Sequence, residues 1–425
     1  MSSNSIPQMI LAQLKNYREV FQKRSYECFQ VLLVSLMTGI ARPGIVRASL
    51  LSGPGYYNWR RTHTLMRRNR WSHQQLIEKN CETILQSLYG ENLPERLFWI
   101  VDPTTTEKPF AKKIHGVRVM RRSYKAFGQR STQKGHGWVM MGLAHKSGPL
   151  KYDNLLVGAL LKTKKKSATE LAKRLLTHAR LPKGVKNIMV GDREFGSIKA
   201  IKLLGPKQIH TLIRMKRDER VYPKELPERT GKRGRPLQYG ESWHVSKMPK
   251  KRWGGHGKVQ TKVSGRKRWV SVWSCIVRRR GLKGEVKIFR IKLPKKIIYL
   301  QSSDLEMSIS EAVWGYFSRQ TIEPQIQTAK DLGLGSYRGR KAKGVHRWGT
   351  MICVAQSLLQ QIALVEEQRE QLPFLNWGWY GNEKSVGAIQ RRLLTMMIQE
   401  GLFEGFSARL ELDSDPEENS QQAEE

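Results

Sequence analysis

From about residue 94 onward, the apolar residues stop recurring at helical intervals and gather into short runs: Leu97 to Val101, Gly137 to Leu143, Asn187 to Val190 and Ile209 to Met215. A helical pattern over Ala168 to Ala179 and a shorter one over Ser197 to Leu204 separate them. Strand-length runs alternating with helices restrict this part of the chain to an α/β layer architecture. Leu155 to Leu161 fits a strand or a helix equally. Asp102 closes the first run, and Asp192 follows the third in Gly191-Asp192-Arg193-Glu194-Phe195-Gly196. Both acids are therefore expected at carboxyl ends of strands, where open α/β sheets place their ligands.

Before this region the sequence reads as helical. Ile10, Leu14, Tyr17 and Phe21 share a face over residues 7 to 22, and residues 26 to 38 are apolar enough for a helix buried on most sides. After Gly53-Pro54-Gly55, aromatic residues and cations interleave in Trp59-Arg60-Arg61 and Arg67-Arg68-Asn69-Arg70-Trp71. Such mixtures suit phosphate contacts and base stacking, and equally suit a solvated face with a few Trp anchors. Ser72 stands three residues before Gln75, a capping-box spacing, ahead of a helical pattern through Leu88.

Charge narrows the partner. With 76 Lys and Arg against 36 Asp and Glu in 425 residues, the chain carries +40, and a polyanion is the expected ligand, nucleic acid first. The hydrophobic share of 39% is that of a globular protein, which excludes a purely electrostatic linker. Residues 207–300 hold 28 of the cations and only 6 acids. Within them, Lys232-Arg233-Gly234-Arg235-Pro236 resembles an AT-hook in its Arg-Gly-Arg-Pro core, while a basic loop touching phosphates is the simpler reading. The second half of that segment alternates as strands, Trp269 to Val277 and Val286 to Leu293. Cys28, Cys81, Cys275 and Cys353 form no CxxC pair, which argues against a zinc finger or a disulfide framework. The apolar stretch around Phe29 to Ile40 is too short to span a bilayer, so no membrane partner and a cytoplasmic, nucleoid-associated location are expected.

A third acid completes a pattern. Tyr316, Arg319, Glu323 and Lys330 lie on a stretch whose Trp314, Phe317, Ile322 and Ile326 suggest a helix, placing a carboxylate between two cations. Pro324 directly after Glu323 predicts a kink or a helix start there. Three acids from three elements are candidates for a metal site, and two hard divalent cations held there would activate a hydroxyl and stabilise the leaving oxygen in phosphodiester displacement. Each acid alone has a structural alternative: Asp102 capping a turn before Pro103, Asp192 pairing with Arg193 or capping the next helix, Glu323 pairing with Arg319 or Gln327. Glu107, Glu194, Asp304, Glu306 and Glu311 are rival ligands.

Tyr316, Arg319, Glu323 and Lys330 match the Y-x2-R-x3-E-x6-K signature without a gap, and on them the chain resembles bacterial insertion-sequence transposases with an RNase H-like DDE domain. Val101-Asp102-Pro103-Thr104 and Gly191 to Gly196 are similar to that family's first-Asp and second-Asp regions, and the resemblance runs from about residue 95 to 365. It implies Asp102, Asp192 and Glu323 as catalytic metal ligands for Mg²⁺, with Mn²⁺ as substitute. It also implies that Tyr316, Arg319 and Lys330 hold DNA near the site, with Trp59, Arg60, Arg61, Arg233 and Arg235 as further DNA contacts read from the basic motifs.

The expected organisation is a helical DNA-end-binding region (1–93), an RNase H-like mixed-sheet core in two parts (94–215 and 301–365) interrupted by a basic β-rich insertion (216–300), a helical C-terminal region that is a candidate for dimerisation (366–410), and an acidic tail (411–425) with seven Asp or Glu. The function so implied is cut-and-paste transposition through hairpin ends, on double-stranded terminal inverted repeats and target DNA, by a homodimer in the synaptic complex. A catalytically inactive DNA-binding descendant, or an RNase H-like nuclease without strand transfer, remains open as an alternative.

Overall fold

The computed structural model describes residues 6–39, 59–68, 70–121, 131–225, 227, 239–263, 265–364 and 385–399. The Arg233 and Arg235 motif, the Gly53-Pro54-Gly55 turn and the acidic tail lie outside these residues, as do the side chains of Trp59 and Arg60.

The strands are β1 (Arg96–Glu107), β2 (Arg118–Arg121), β3 (Thr132–Gly148), β4 (Lys151–Lys162), β5 (Lys186–Gly191), β6 (His210–Arg214), β7 (Arg220–Val221), β8 (Trp243–His244), β9 (Gly255–Val263), β10 (Arg266–Arg278), β11 (Glu285–Lys292) and β12 (Ile297–Ser302). β1, β3 and β4 form an antiparallel meander, and β5 and β6 then add in parallel on the other side of β1, giving the order β4-β3-β1-β5-β6. Helix Ala168–His178 connects β4 to β5 and helix Ser197–Leu204 connects β5 to β6. This is an RNase H-like mixed α/β core. The strands of the basic segment continue the same sheet beyond β6 in the order β12-β11-β10-β9, all antiparallel.

Alternation along β1 divides the interior. Phe98 and Ile100 face a core shared with helices Ile309–Ser318 and Ala342–Leu364, while Leu97, Trp99 and Val101 face one shared with helices Ala168–His178 and Ser197–Leu204. Trp99 is wholly buried, and its indole N–H is satisfied by Asn187 Oδ1 at 2.9 Å. The ambiguous Leu155 to Leu161 segment is strand: buried on both faces, it reads as an unbroken apolar run. Its register against β3 slips between Met141 and Gly142, leaving Val157 without a partner in the ladder. Asn80, fully buried on helix His73–Tyr89, repairs the irregularity by donating to Leu156 O and Val157 O, both at 3.0 Å, while accepting from Tyr17 OH.

Two local expectations change. The helix expected over residues 7 to 22 ends at Lys15 and a short 3₁₀ turn, Arg18–Val20, follows, so that the chain can bend before the buried helix Lys23–Thr38. Ser72 does cap helix His73–Tyr89, but by accepting from Gln74 N rather than through a box with Gln75. Among the described residues, no helix is long and apolar enough to cross a membrane.

Candidate active site

Asp102 is not at a strand end. β1 continues through Pro103 and the three threonines to Glu107 on its antiparallel side, because β3 supplies partners along the whole length; only the parallel pairing with β5 stops, at Ile100 opposite Val190. Asp102 therefore stands just past the point where β5 leaves β1, and a turn-capping role is excluded. Asp192 immediately follows β5 and caps the 3₁₀ turn Arg193–Phe195 by accepting from Glu194 N at 2.7 Å. The two acids thus leave adjacent parallel strands. Gly191 lets the turn after β5 fold back tightly around Asp192: a Cβ there would meet the Phe195 ring at 2.7 Å.

Glu323 arrives on a separate unit whose position is fixed at both ends. Helix Ile309–Ser318 begins with a complete capping box, Ser308 with Glu311. Glu311 also accepts from Arg96 at 3.0 Å, and Arg96, at the start of β1, bonds Asp304 at 3.0 Å. In its middle, Gly315 lies flush on Phe98, where a Cβ would come within 2.5 Å of the ring, and Trp314 meets the same ring edge-on. At its far end the 3₁₀ turn Arg319–Thr321 intervenes, and helix Ile322–Asp331 starts with Glu323 and Pro324 in its first turn. A helix start rather than a kink is what forms, and there the proline's missing N–H has no intrahelical acceptor to lose. This second helix is held in turn by Gln325, which accepts from Gln356, whose own Oε1 accepts from Leu156 N on β4.

The charges meet around one guanidinium. Arg319 Nη1 donates to Asp102 Oδ1 at 3.0 Å, and its Nη2 lies 3.7 Å from Glu323 Oε1. Asp102 and Arg319 are both largely buried, whereas the Glu323 side chain is 63% exposed. Burial pushes the Asp102 carboxyl up to about 6; Arg319 pulls it down, and the negative charges of Asp192 and Glu323 push it up again. The three acids therefore share an electrostatic neighbourhood. Among the described residues, no group of three or more His, Cys, Asp or Glu is arranged to hold a metal ion. Asp192 is turned to its own loop and Arg319 occupies Asp102. The donor set nevertheless fits a hard divalent cation: three carboxylates, one of them already destabilised by its two neighbours.

The other expected site residues separate. Lys330 is half-buried on the Glu323 helix, and burial lowers its pKa. Tyr316 is 5% exposed, packed edge-to-face on Phe317 inside the core, so its ring supports the helix rather than facing solvent. Arg61 is exposed on helix Trp59–Arg67, which packs against helices Lys23–Thr38 and Ala342–Leu364. Four of the five rival acids are engaged elsewhere: Glu194 with Lys162, and Asp304, Glu306 and Glu311 with Arg96 and Lys186; Glu107 ends β1, exposed. Unforeseen was Lys108, just past β1. Its buried ammonium donates to Tyr337 O at 2.6 Å, fastening the loop that follows the Glu323 helix, and burial, reinforced by Arg338, lowers it to about 8.

The chain matches the family described as DDE superfamily endonuclease over residues 16–267, more than half its length, and it belongs to that family. Endonucleolytic action on DNA is accordingly its class of activity. The matched stretch contains Asp102 and Asp192; Glu323 and the residues around it lie beyond its end. No curated protein matches the sequence significantly.

Proposed function

We propose that the protein is a DDE transposase that cleaves the ends of an insertion sequence and joins them to target DNA, using Mg²⁺ or Mn²⁺. The observation that carries this reading is that Asp102 feels the charges of both Asp192 and Glu323, from three elements spread over the chain, with Arg319 bridging Asp102 and Glu323. Divalent ions held by these carboxylates would supply Lewis-acid activation of the attacking and leaving oxygens. The chain's own residues prepare for that. Asp102 is held away from water and poised to ionise above about pH 6, Arg319 balances the acids, and Lys330 offers a second cation on the face of the Glu323 helix for a phosphate. Pro324 does not favour an inactive descendant, because it sits in a first turn that tolerates it.

The test is nicking and joining of a supercoiled donor plasmid carrying the element ends. The wild type should nick in Mg²⁺ and yield donor–target joints; Asp102→Ala, Asp192→Ala and Glu323→Ala should bind DNA but leave it intact. Full cleavage by Glu323→Ala removes the assignment, and nicking without joints identifies a nuclease without strand transfer. The inverted repeats as substrate, the hairpin route and a synaptic homodimer belong to the same proposal.

A further inference from the structure

The outer half of the sheet carries a second charged surface. Strand alternation and cross-strand register place His256, Lys258, Gln260 and Lys262 of β9, Lys267, Trp269, Ser271 and Trp273 of β10, and Arg290 and Lys292 of β11 on one face. The opposite face is closed by Val270, Val272, Phe289 and Ile291, packed with helix Ile309–Ser318. Toward Cys275 and Val277 the first face is also covered, by the Val221, Val245 and Met248 cluster. Toward Trp269 it is open: Lys258, Lys262, Lys267 and Lys292 are exposed, and Trp269 is 67% exposed. Three strands are locked together there by a ladder in which His256 stacks on Trp273 at 4.9 Å and Arg290 lies over the same ring at 4.7 Å. β9 and β10 contain no Asp or Glu.

Lysines on an edge strand commonly serve only to prevent sheet-to-sheet aggregation. That role explains β9, which ends the sheet, but not Lys292 and Arg290 two strands inward, nor a tryptophan left in water beside them. A rigid, acid-free array of cations around an exposed ring has the chemistry of a DNA backbone contact. Lys262 with Lys267 forms one row and Lys258 with Lys292 another, about 13 Å apart along the strands, close to the roughly 12 Å width of a duplex major groove. Asp102 points to the opposite face, toward Met140 and the Ile309–Ser318 core, on a strand four to six places away in the sheet. The DNA strand at the acids is therefore not the one met here.

We infer that this face of β9, β10 and β11 is a second, sequence-independent docking surface for duplex DNA, with Lys258, Lys262, Lys267 and Lys292 on phosphates and Trp269 against the backbone between them. It rests on the reading of the protein as a DNA-acting enzyme, but not on its catalysis. The experiment is binding of a 50-base-pair duplex of arbitrary sequence by the full chain in EDTA, across a salt series. Replacing all four lysines by Gln should flatten the slope of log affinity against log salt by about 0.9 for each phosphate no longer neutralised, roughly two to four in all; Lys183→Gln, an exposed cation elsewhere, should leave it unchanged. In the wild type, bound duplex should protect those four lysines from acetylation, a measurement that does not depend on the variant folding. An unchanged slope with unprotected lysines overturns the inference, as does a variant that aggregates while binding DNA normally, since edge protection would then be the role. A wild type that binds in this way yet never nicks DNA would refute the catalytic proposal alone.

Discussion

Arg319 donates to Asp102 at 3.0 Å while lying 3.7 Å from Glu323, so a single guanidinium stands between two acids far apart in the sequence. It is a cation already installed where a divalent one would be expected. Removing it by Arg319→Gln should let Mn²⁺ bind more tightly, by several-fold in calorimetry, while cleavage falls because the phosphate loses a donor. Unchanged Mn²⁺ affinity would show that Arg319 does not compete for the carboxylates.

Asp102 gives a stability signature that needs no DNA. Its carboxyl is raised from the ordinary 3.8 to about 6, chiefly by burial. A raised acid contributes stability that is complete below about pH 3.8 and is lost as pH climbs through about 6. Two pH units correspond to about 3 kcal/mol at most. Asp102→Asn, which never ionises, should therefore unfold at higher denaturant than the wild type at pH 7.5, with the difference shrinking toward pH 4. A constant difference across that range would refute the burial cost.

Gly315 sets the distance between β1 and the helix leading to Glu323. Gly315→Ala places a methyl within 2.5 Å of Phe98 and should cost about 1–3 kcal/mol by overpacking. Cleavage should fall further than the melting temperature indicates, because the displaced helix leads directly into Arg319. Wild-type cleavage in a destabilised Gly315→Ala protein would mean that the helix position is not critical.

Three histidines should govern the acid limb of stability. His73 stacks on His346 at 5.1 Å and meets His178 at 6.4 Å, where helices His73–Tyr89, Ala168–His178 and Ala342–Leu364 come together. Burial first, then its partners His346 and His178, lowers His73 to about 3, and burial followed by Arg174 lowers His178 and His346 to about 4. Depressed histidines contribute stability that is present above about pH 6.5 and lost as pH falls toward 4. His73→Gln should reduce the steepness of that loss in denaturant titrations between pH 6.5 and 4, and an identical slope would exclude the cluster as its source.

Much of this was legible in the residues, for reasons that can be named. The strand and helix alternation exposed the α/β layer architecture because strands buried on both faces read as short continuous apolar runs, the resemblance supplied the RNase H-like core, and Asp192 declared itself by following such a run. Asp102 was found but misplaced: the sequence could not show that β3 runs beside β1 past the point where β5 stops. The attachment of Glu323 was hidden altogether. It depends on Gln325, Gln356 and the β4 backbone, and on Arg96 reaching Glu311, contacts between residues far apart whose types carry no local signal. Tyr316 sits at a periodicity equally suited to a surface or a core, and the fold chose the core. Continuity of β9 to β12 with the central sheet was likewise beyond reach, since register between distant strands leaves no trace in composition.

Arg347, fully buried on helix Ala342–Leu364, lies over the Trp71 ring at 4.2 Å and donates to Leu65 O, Met66 O and Trp71 O. Its charge is accepted there by the carbonyl end of helix Trp59–Arg67, where a helix presents partial negative charge. During synthesis the first helices emerge long before this clasp exists. The N-terminal helices must then wait, with the Trp71 indole on Leu65 O at 2.7 Å but without the guanidinium, until most of the chain has left the ribosome, so truncated products should lack a settled amino-terminal region.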